Sequence, residues 1–320
     1  MNNPSATNNQ QTATTMAGRP TAPVAAKPYD SGQPRPTLDR TTDKWRVAVA
    51  QMTSGALPQK NIDSMVKLIK AAHKKEAKLI AFPEVCNIME HDSDIAWERL
   101  ASEEDDPHLP RLAALAADMG IWILLGSYLL RAHIDPDGRK KFYNRSLLIS
   151  DKGEIICRYD KIHLFDIDLA NGESYRESDV VVAGGYITTA ESPWGRMGLT
   201  ICYDLRFPYL YRKLNHLGAT IIFVPAAFTD ITGRAHWHSL LRARAIENAC
   251  FIIAPAQVGH HQDGRKTFGH SLVVGPWGDI IAEQKSGTNK LLIANLDLAE
   301  VDRVRAQIPA YRSALDYTLS

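Results

Sequence analysis

The sequence predicts an α/β protein, a four-layer αββα sandwich formed by a single domain, on three observations. Apolar runs of strand length alternate with segments whose apolar residues recur every three or four positions. Turn-forming clusters cut other apolar runs into hairpins. Many of the runs are continuously apolar rather than alternating, so both faces of their sheet must be covered. Helices on one face and a second sheet on the other satisfy that.

Taken in order, a strand is expected at 46–51, then a helix that places Ile62, Met65, Val66 and Ile69 on one face, then a strand at 79–82. The pattern returns with Leu112, Leu115, Ala116 and Met119 leading to a run at 121–125. It returns again with a helix over 208–217 leading to a strand at 221–224. Hairpin turns are expected at Asp135-Pro136-Asp137-Gly138, Asp151-Lys152-Gly153 and Pro276-Trp277-Gly278-Asp279. No linker interrupts residues 45–320, which are assigned to the one domain. Residues 1–44 are rich in Asn, Gln, Thr and Pro and hold only Val24 and Leu38 as large aliphatics, so they are expected to form a disordered tail. An organelle-targeting role for this tail is the alternative, and it lacks an Arg-rich amphipathic pattern.

Of the 320 residues, 37 are basic and 36 acidic, a formal charge of +1 that gives no electrostatic handle for nucleic acid or a membrane surface. A small-molecule partner is expected. Cys86, Cys157, Cys202 and Cys250 form no paired spacing that would suggest disulfides or structural zinc, which fits a reducing, cytoplasmic setting.

The most informative segment is Gly198-Leu-Thr-Ile-Cys202-Tyr-Asp-Leu-Arg-Phe-Pro208, where an apolar strand ends at a cysteine just before a helix. A thiol on such a turn is open to substrate, and the positive end of the following helix is expected to favour its thiolate. Pro208 suits the first helical turn. Cys157 and Cys250 lie inside apolar runs and read as small core residues. Cys86 stands near Glu84 but beyond the Pro83 turn, away from the expected chemistry. A thiol that attacks an amide also needs a proton acceptor and positive charge facing the oxyanion. Glu84, in Phe82-Pro83-Glu84, and Lys161, in Tyr159-Asp160-Lys161-Ile162-His163-Leu164, both follow strands and stand at the sheet end where α/β proteins collect their sites.

These three motifs, in this chain order, resemble the nitrilase superfamily of carbon–nitrogen hydrolases over residues 45 to 315. The resemblance implies an αββα fold, chemistry without metal or cofactor, and assembly into homodimers or larger homo-oligomers. It assigns Cys202 as nucleophile, Glu84 as general base and acid, and Lys161 as the cation facing the oxyanion beside the Tyr203 backbone N–H. A second glutamate, Glu177 or the competing Glu173, is implied to orient Lys161. Tyr203-Asp204 after the cysteine departs from the Trp-Glu of true nitrilases and implies amide hydrolysis. Asp204 and Arg206 are expected to pair and brace the turn.

The segments Thr232 to Trp237, Gln257 to His261, Phe268-Gly-His-Ser271 and Pro276-Trp-Gly278 resemble the Nit-type branch. That branch includes amidases of deaminated glutathione and of 2-oxo acid amides, so a small carboxylate-bearing amide is the expected substrate. Arg234, His236, His260 and His261, with Arg265 and Lys266, supply basic groups on two loops expected to reach the catalytic end. A metal hydrolase is the rival reading, because His236, His238, His260, His261 and His270 crowd the last third of the chain. Two-residue spacing on a helix points His236 and His238 to different faces, which speaks against it. A non-catalytic interaction protein on the same fold is the other rival, and the filled triad positions speak against that.

Overall fold

The computed structural model describes residues 43–168, 172 and 174–312. Strands β1 (Lys44–Gln51), β2 (Leu79–Ala81), β3 (Trp122–Ile134), β4 (Lys140–Ile149) and β5 (Ile155–Asp160) belong to a first sheet, with helices α1 (Pro58–Lys74), α2 (Ser93–Arg99) and α3 (Leu109–Met119) between them. The ribbon of β6 (Asp166–Asp168) and β7 (Ser174–Arg176) leads to a second sheet. There β8 (Thr189–Ser192), β9 (Gly195–Leu199), α4 (Pro208–His216), β10 (Ile221–Phe223), α5 (Asp230–Asn248) and β11 (Phe251–Ala254) follow in order. A second ribbon, β12 (Val258–His260) and β13 (Lys266–Phe268), precedes β14 (Ser271–Val274), β15 (Ile280–Gln284), β16 (Lys290–Asp297) and α6 (Ala299–Gln307). The strand orders are β16-β1-β2-β3-β4-β5 and β15-β14-β11-β10-β9-β8.

The alternation of side chains along each strand creates the layers. Val47, Val49, Leu79, Ala81 and Leu124 face the second sheet, in one core with Met197, Leu199, Ile221 and Phe223. Their neighbours Ala48, Ala50, Ile80, Ile123 and Leu125 face the other way, onto Ile62, Met65 and Ile69 of α1 and Leu112 and Ala116 of α3. On the far side of the second sheet, α4 and α5 contribute Leu210, Leu214, Trp237, Leu241 and Ala245. The sandwich is therefore αββα, as expected from strands that are apolar on both faces. Trp194, in the β8–β9 turn, stacks on Trp45 at 4.9 Å and meets Trp122 edge-on at 5.7 Å, which fastens one sheet to the other.

The expected elements are found, with differences at their ends. The run at 121–125 continues to Ile134, with irregular register between Leu125 and Tyr128 and again between Arg131 and Ile134. The expected tail largely precedes the described residues, and its last residue, Lys44, already opens β1. Among the described residues no helix is long and apolar enough to cross a membrane.

Two sets of parallel strands, β1-β2-β3 and β9-β10-β11, place their carboxyl ends beside one another. Backbone bonds across the Met52 and Gln257 bridge stitch these ends together, while the bond from Cys202 N to the Pro225 carbonyl at 2.8 Å carries the β9–β10 pairing on to the turn that holds the thiol. The β5 strand is antiparallel to β4, which is antiparallel to β3, so β5 ends at the same edge as β2.

Gly126, at the first irregularity of β3, allows the closest approach. A methyl group there would lie 1.7 Å from the Phe82 carbonyl oxygen and 2.5 Å from Pro225 Cβ. Gly126→Ala is therefore expected to cost about 1–3 kcal/mol or more, read from the urea midpoint, and to reduce turnover because both neighbours lead into the site. An unchanged midpoint would mean that the backbone yields there without strain.

Candidate active site

Glu84, Lys161, Glu177 and Cys202, more than a hundred residues apart at the extremes, meet at the shared carboxyl edge. Lys161 Nζ donates to Glu84 Oε1 at 2.8 Å and to Glu177 Oε2 at 2.8 Å and Oε1 at 3.0 Å. Asn144, inward-facing on β4, donates its Nδ2 to both carboxylates, at 3.1 Å to Glu84 and 3.0 Å to Glu177. The remaining oxygen of Glu84 accepts from the Ala227 N–H at 2.9 Å, and Cys202 lines the same cavity, close enough for that carboxylate to act on its thiol. Phe165 N–H completes Glu177 at 2.7 Å. Glu173, the competing second glutamate, lies outside the described residues.

The backbone is forced to present these groups. Cys202 sits at φ 47° and Val85, immediately after Glu84, at φ 48°. Neither residue type favours the left-handed region, and a β-branched residue there is a marked exception. Ser127 holds the Val85 turn by accepting from its N–H at 2.8 Å and through the Cys86 N–H, which donates to the Ser127 carbonyl at 2.9 Å. Asp204, fully buried, holds the Cys202 turn. It accepts from the Ile201 N–H, the Tyr159 hydroxyl and the His163 N–H, and bonds the His163 ring at 2.7 Å. Arg244 on α5 closes the other end by donating twice to the Leu205 carbonyl.

Burial opposes charge on Glu84, but the Lys161 ammonium and the hydrogen bonds from Lys161 and Asn144 outweigh it and hold the carboxyl below its usual range. Burial likewise opposes the Lys161 charge, and the two carboxylates overcome it and raise the ammonium pKa well above normal. Burial pushes the Cys202 thiol well up, and the Glu84 charge pushes it further. At rest the site therefore holds an ionised Glu84, a protonated Lys161 and a neutral thiol. This corrects the expectation of a thiolate favoured by the next helix. The segment Cys202–Arg206 is a 3-10 turn, and α4 begins only at Pro208. The other cysteines are set apart as expected: burial pushes Cys157 and Cys250 up to about 12, and Cys86 is buried with its Sγ bonded to the Ser127 carbonyl.

A cavity of about 480 Å³ opens over the cluster. Its lining includes Glu84, Lys161, Glu177 and Cys202, the rings of Phe165, Tyr175, Tyr203 and Phe228, and the cations Arg176, Arg206, Arg265 and Lys266. Of the expected substrate contacts, Tyr203 lines it, and Arg265 and Lys266 from the wider basic set do so too. Arg234, His236, His260 and His261 do not. Arg234 is held by Asp230, one turn before it on α5. His236 accepts from Arg206 at 3.3 Å. His260 is exposed on the β12–β13 ribbon, while His261 is buried between the Ser54 carbonyl at 2.9 Å and the Thr267 hydroxyl at 2.7 Å.

The expected Asp204–Arg206 pair is absent, because residues two apart on a tight helical turn do not face each other. Arg206 instead reaches over the Phe228 ring and into the cavity. Asn144 and the Ala227 N–H were missed in the sequence. An asparagine between Phe142 and Ser146 on the inward face of a strand was the available signal for the first, whereas a backbone N–H leaves none.

The two-sheet sandwich with a thiol, a carboxylate and an ammonium in one cluster has the build of a hydrolase. The carbon-nitrogen hydrolase family profile matches residues 46–306. The chain is 40% identical over 269 residues to the probable hydrolase nit2 of Schizosaccharomyces pombe, covering 83% of this chain and 96% of that one. It is 37% identical over 285 residues to the deaminated glutathione amidase of Mus musculus, covering 88% and 87%. The NitFhit protein of C. elegans superposes with a TM-score of 0.75 at 35% identity, over 84% of this chain, which spans 64% of that longer one. The chain belongs to the carbon-nitrogen hydrolase family, the nitrilase superfamily, and is an enzyme of its amidase type.

Lys161 is the only cation bonded to the buried Glu84 and the half-buried Glu177 among the described residues. Lys161→Met is expected to cost about 3–5 kcal/mol, because it leaves the Glu84 carboxylate buried without its cation. Adding Glu84→Gln is expected to restore part of the loss, as read from urea midpoints of both variants. A double variant no more stable than the single would show that the charge cluster is not what Lys161 supports.

Proposed function

We propose that the protein hydrolyses a small carboxylate-bearing amide to the acid and ammonia through a thioester on Cys202, with deaminated glutathione as the leading substrate. The carrying observation is the convergence in one cavity of the Cys202 thiol, the buried Glu84 carboxylate and the buried Lys161 ammonium, the last two hydrogen-bonded at 2.8 Å. In the first half-reaction Glu84 takes the thiol proton as Sγ attacks the amide carbon. The oxyanion faces Lys161 and the Tyr203 N–H. The carbon–nitrogen bond then breaks while Glu84 returns its proton to the nitrogen, and ammonia leaves. In the second, Glu84 takes a proton from water, which attacks the thioester, and the released sulfur recovers that proton as the acid departs. Glu177 and Asn144 are positioning residues in this scheme, keeping Lys161 charged and Glu84 turned towards the thiol. General-base help of this kind is worth roughly 10²- to 10⁴-fold, and oxyanion stabilisation roughly 10²- to 10³-fold.

Arg206 supports the carboxylate part of the reading. Arg176 is held by Asp168, Arg265 by Asp263 and the cavity-lining Glu90 by Arg99, whereas Arg206 has no carboxylate partner among the described residues. A guanidinium in that state is suited to anchor a substrate carboxylate bidentately. The anchor is therefore Arg206 rather than the histidines and Arg234. Homo-oligomerisation is part of the same proposal, with exposed Tyr209 on α4 and Ile246 on α5 as surface for it.

Ammonia release from deaminated glutathione, 2-oxoglutaramate and a neutral aliphatic amide tests this reading. The acidic amides are expected to lead in kcat/KM, Arg206→Met to raise KM for them at least tenfold while leaving the neutral amide unaffected, and Cys202→Ala to abolish all three activities with an unchanged melting temperature. Highest efficiency on the neutral amide would replace the reading with a general aliphatic amidase, and turnover by Cys202→Ala would remove Cys202 from the mechanism.

A further inference from the structure

The fold brings together a second set of chemistry-bearing side chains outside the cavity. His238 projects from α5, His270 stands just before β14, and Glu283 lies on β15, the edge strand of the second sheet. Glu283 Oε1 is 2.9 Å from His238 Nε2 and 2.6 Å from His270 Nδ1. One potential donor atom from each residue lies within 4.8 Å of the other two. None of the three lines the catalytic cavity.

The arrangement is held rigidly from outside. His270 adopts φ 57°, a left-handed conformation that follows Gly269 at φ 77°. Its carbonyl accepts from the buried Trp237 Nε1 at 2.8 Å, which fixes the backbone in that state. The Phe268 ring stacks on His270 at 4.2 Å and meets His238 edge-on at 6.1 Å, so one aromatic side chain sets both imidazole planes. The two imidazoles stand 5.4 Å apart at 74°, with their ring nitrogens converging on one carboxylate oxygen. All three side chains remain partly exposed, which leaves solvent a path to the fourth side.

We propose that His238, His270 and Glu283 form a binding site for a divalent transition ion of borderline softness, Zn²⁺ above all, separate from the catalytic centre. Two imidazole nitrogens and a carboxylate oxygen are a zinc-type donor set and a poor one for Mg²⁺ or Ca²⁺, which take oxygen. Bonds of ~2.0–2.2 Å in a tetrahedral site place donor atoms about 3.4 Å apart. That spacing is longer than the present hydrogen-bond contacts and shorter than the 4.8 Å within which all three donor atoms already lie, so side-chain rotation without backbone movement admits the ion. Each imidazole proton moves to the other ring nitrogen, the freed lone pair binds the metal, and water fills the fourth position. The ion ties α5 to the β14–β15 hairpin. Through α5 it stiffens the helix that supplies Arg244 to the Leu205 carbonyl and His236 to Arg206.

The test uses the full chain freed of metal by a chelator and titrated with ZnCl₂ by calorimetry, with the melting temperature followed in parallel. One saturable site per chain is expected, with a rise in melting temperature on loading. His238→Ala and Glu283→Gln should each weaken binding at least tenfold, while Cys202→Ala should leave it unchanged. Loading with Co²⁺ in place of zinc is expected to give the visible absorption of a four-coordinate ion, lost in His238→Ala. His238 lies on a helix surface, so that variant stays folded by its metal-free melting temperature, whereas His270→Ala releases a strained backbone and is the weaker probe. Absence of saturable binding would overturn the proposal. So would equal affinity in His238→Ala and Glu283→Gln, or loss of the site in Cys202→Ala.

Discussion

The buried ammonium of Lys161 between two carboxylates is the constraint on which the rest of the site depends. A carboxylate as enclosed as Glu84 would ordinarily take up a proton, and a lysine as enclosed as Lys161 would ordinarily lose one. Each keeps its charge because of the other, and Glu177 and Asn144 complete the cluster. The Cys202 sulfur is thereby kept near an ionised carboxylate, the state that the proposed mechanism requires of its base. Storing the system as thiol and carboxylate, rather than as thiolate and carboxylic acid, protects an otherwise oxidisable group while leaving one short proton transfer before attack.

This cluster explains features of the fold that would otherwise be costly. Two non-glycine residues, Val85 and Cys202, are held in left-handed conformations on either side of it. The backbone strain is offset by bonds from Ser127, Pro225 and Asp204, and by a core in which the two sheets are locked through Trp45, Trp122 and Trp194. Two sheets are needed because the groups come from both. The first supplies Glu84, Asn144 and Lys161, and the second supplies Cys202 and the Ala227 N–H. Neither sheet alone encloses a lysine.

Much of this was legible in the sequence, for physical reasons particular to each residue. Glu84 directly follows a buried parallel strand, where a polar residue has few places to go other than the sheet edge, and Lys161 follows the edge strand β5, which ends at that same edge. Cys202 was marked by the abrupt change from strand to proline-started helix. The αββα layering followed from strands apolar on both faces. What the sequence did not reveal depends on contacts made by distant loops. His261 reads like a ligand or a substrate contact, yet its ring is satisfied by Ser54, from a loop after β1, and by Thr267 across its own hairpin. Arg206 was expected to pair with Asp204, but a 3-10 turn aims the two apart and Asp204 is already filled by Tyr159, Ile201 and His163. His238 meets His270 only because β14 returns beneath α5, which no spacing along the chain expresses.

The protonation state of Cys202 tests the account most directly. Thiolate absorbance near 240 nm, followed against pH in the wild-type protein and in Glu84→Gln, reports it against a quiet background, because burial holds the other three thiols protonated to about pH 12 or beyond. The account predicts no thiolate in the wild type between pH 6 and 9. In Glu84→Gln one thiolate per chain is expected at a lower pH, since the opposing negative charge is gone while Lys161 and the Ala227 N–H remain. A full thiolate signal at pH 7 in the wild type, or a Cys202 titration that does not move when Glu84 is neutralised, would contradict it.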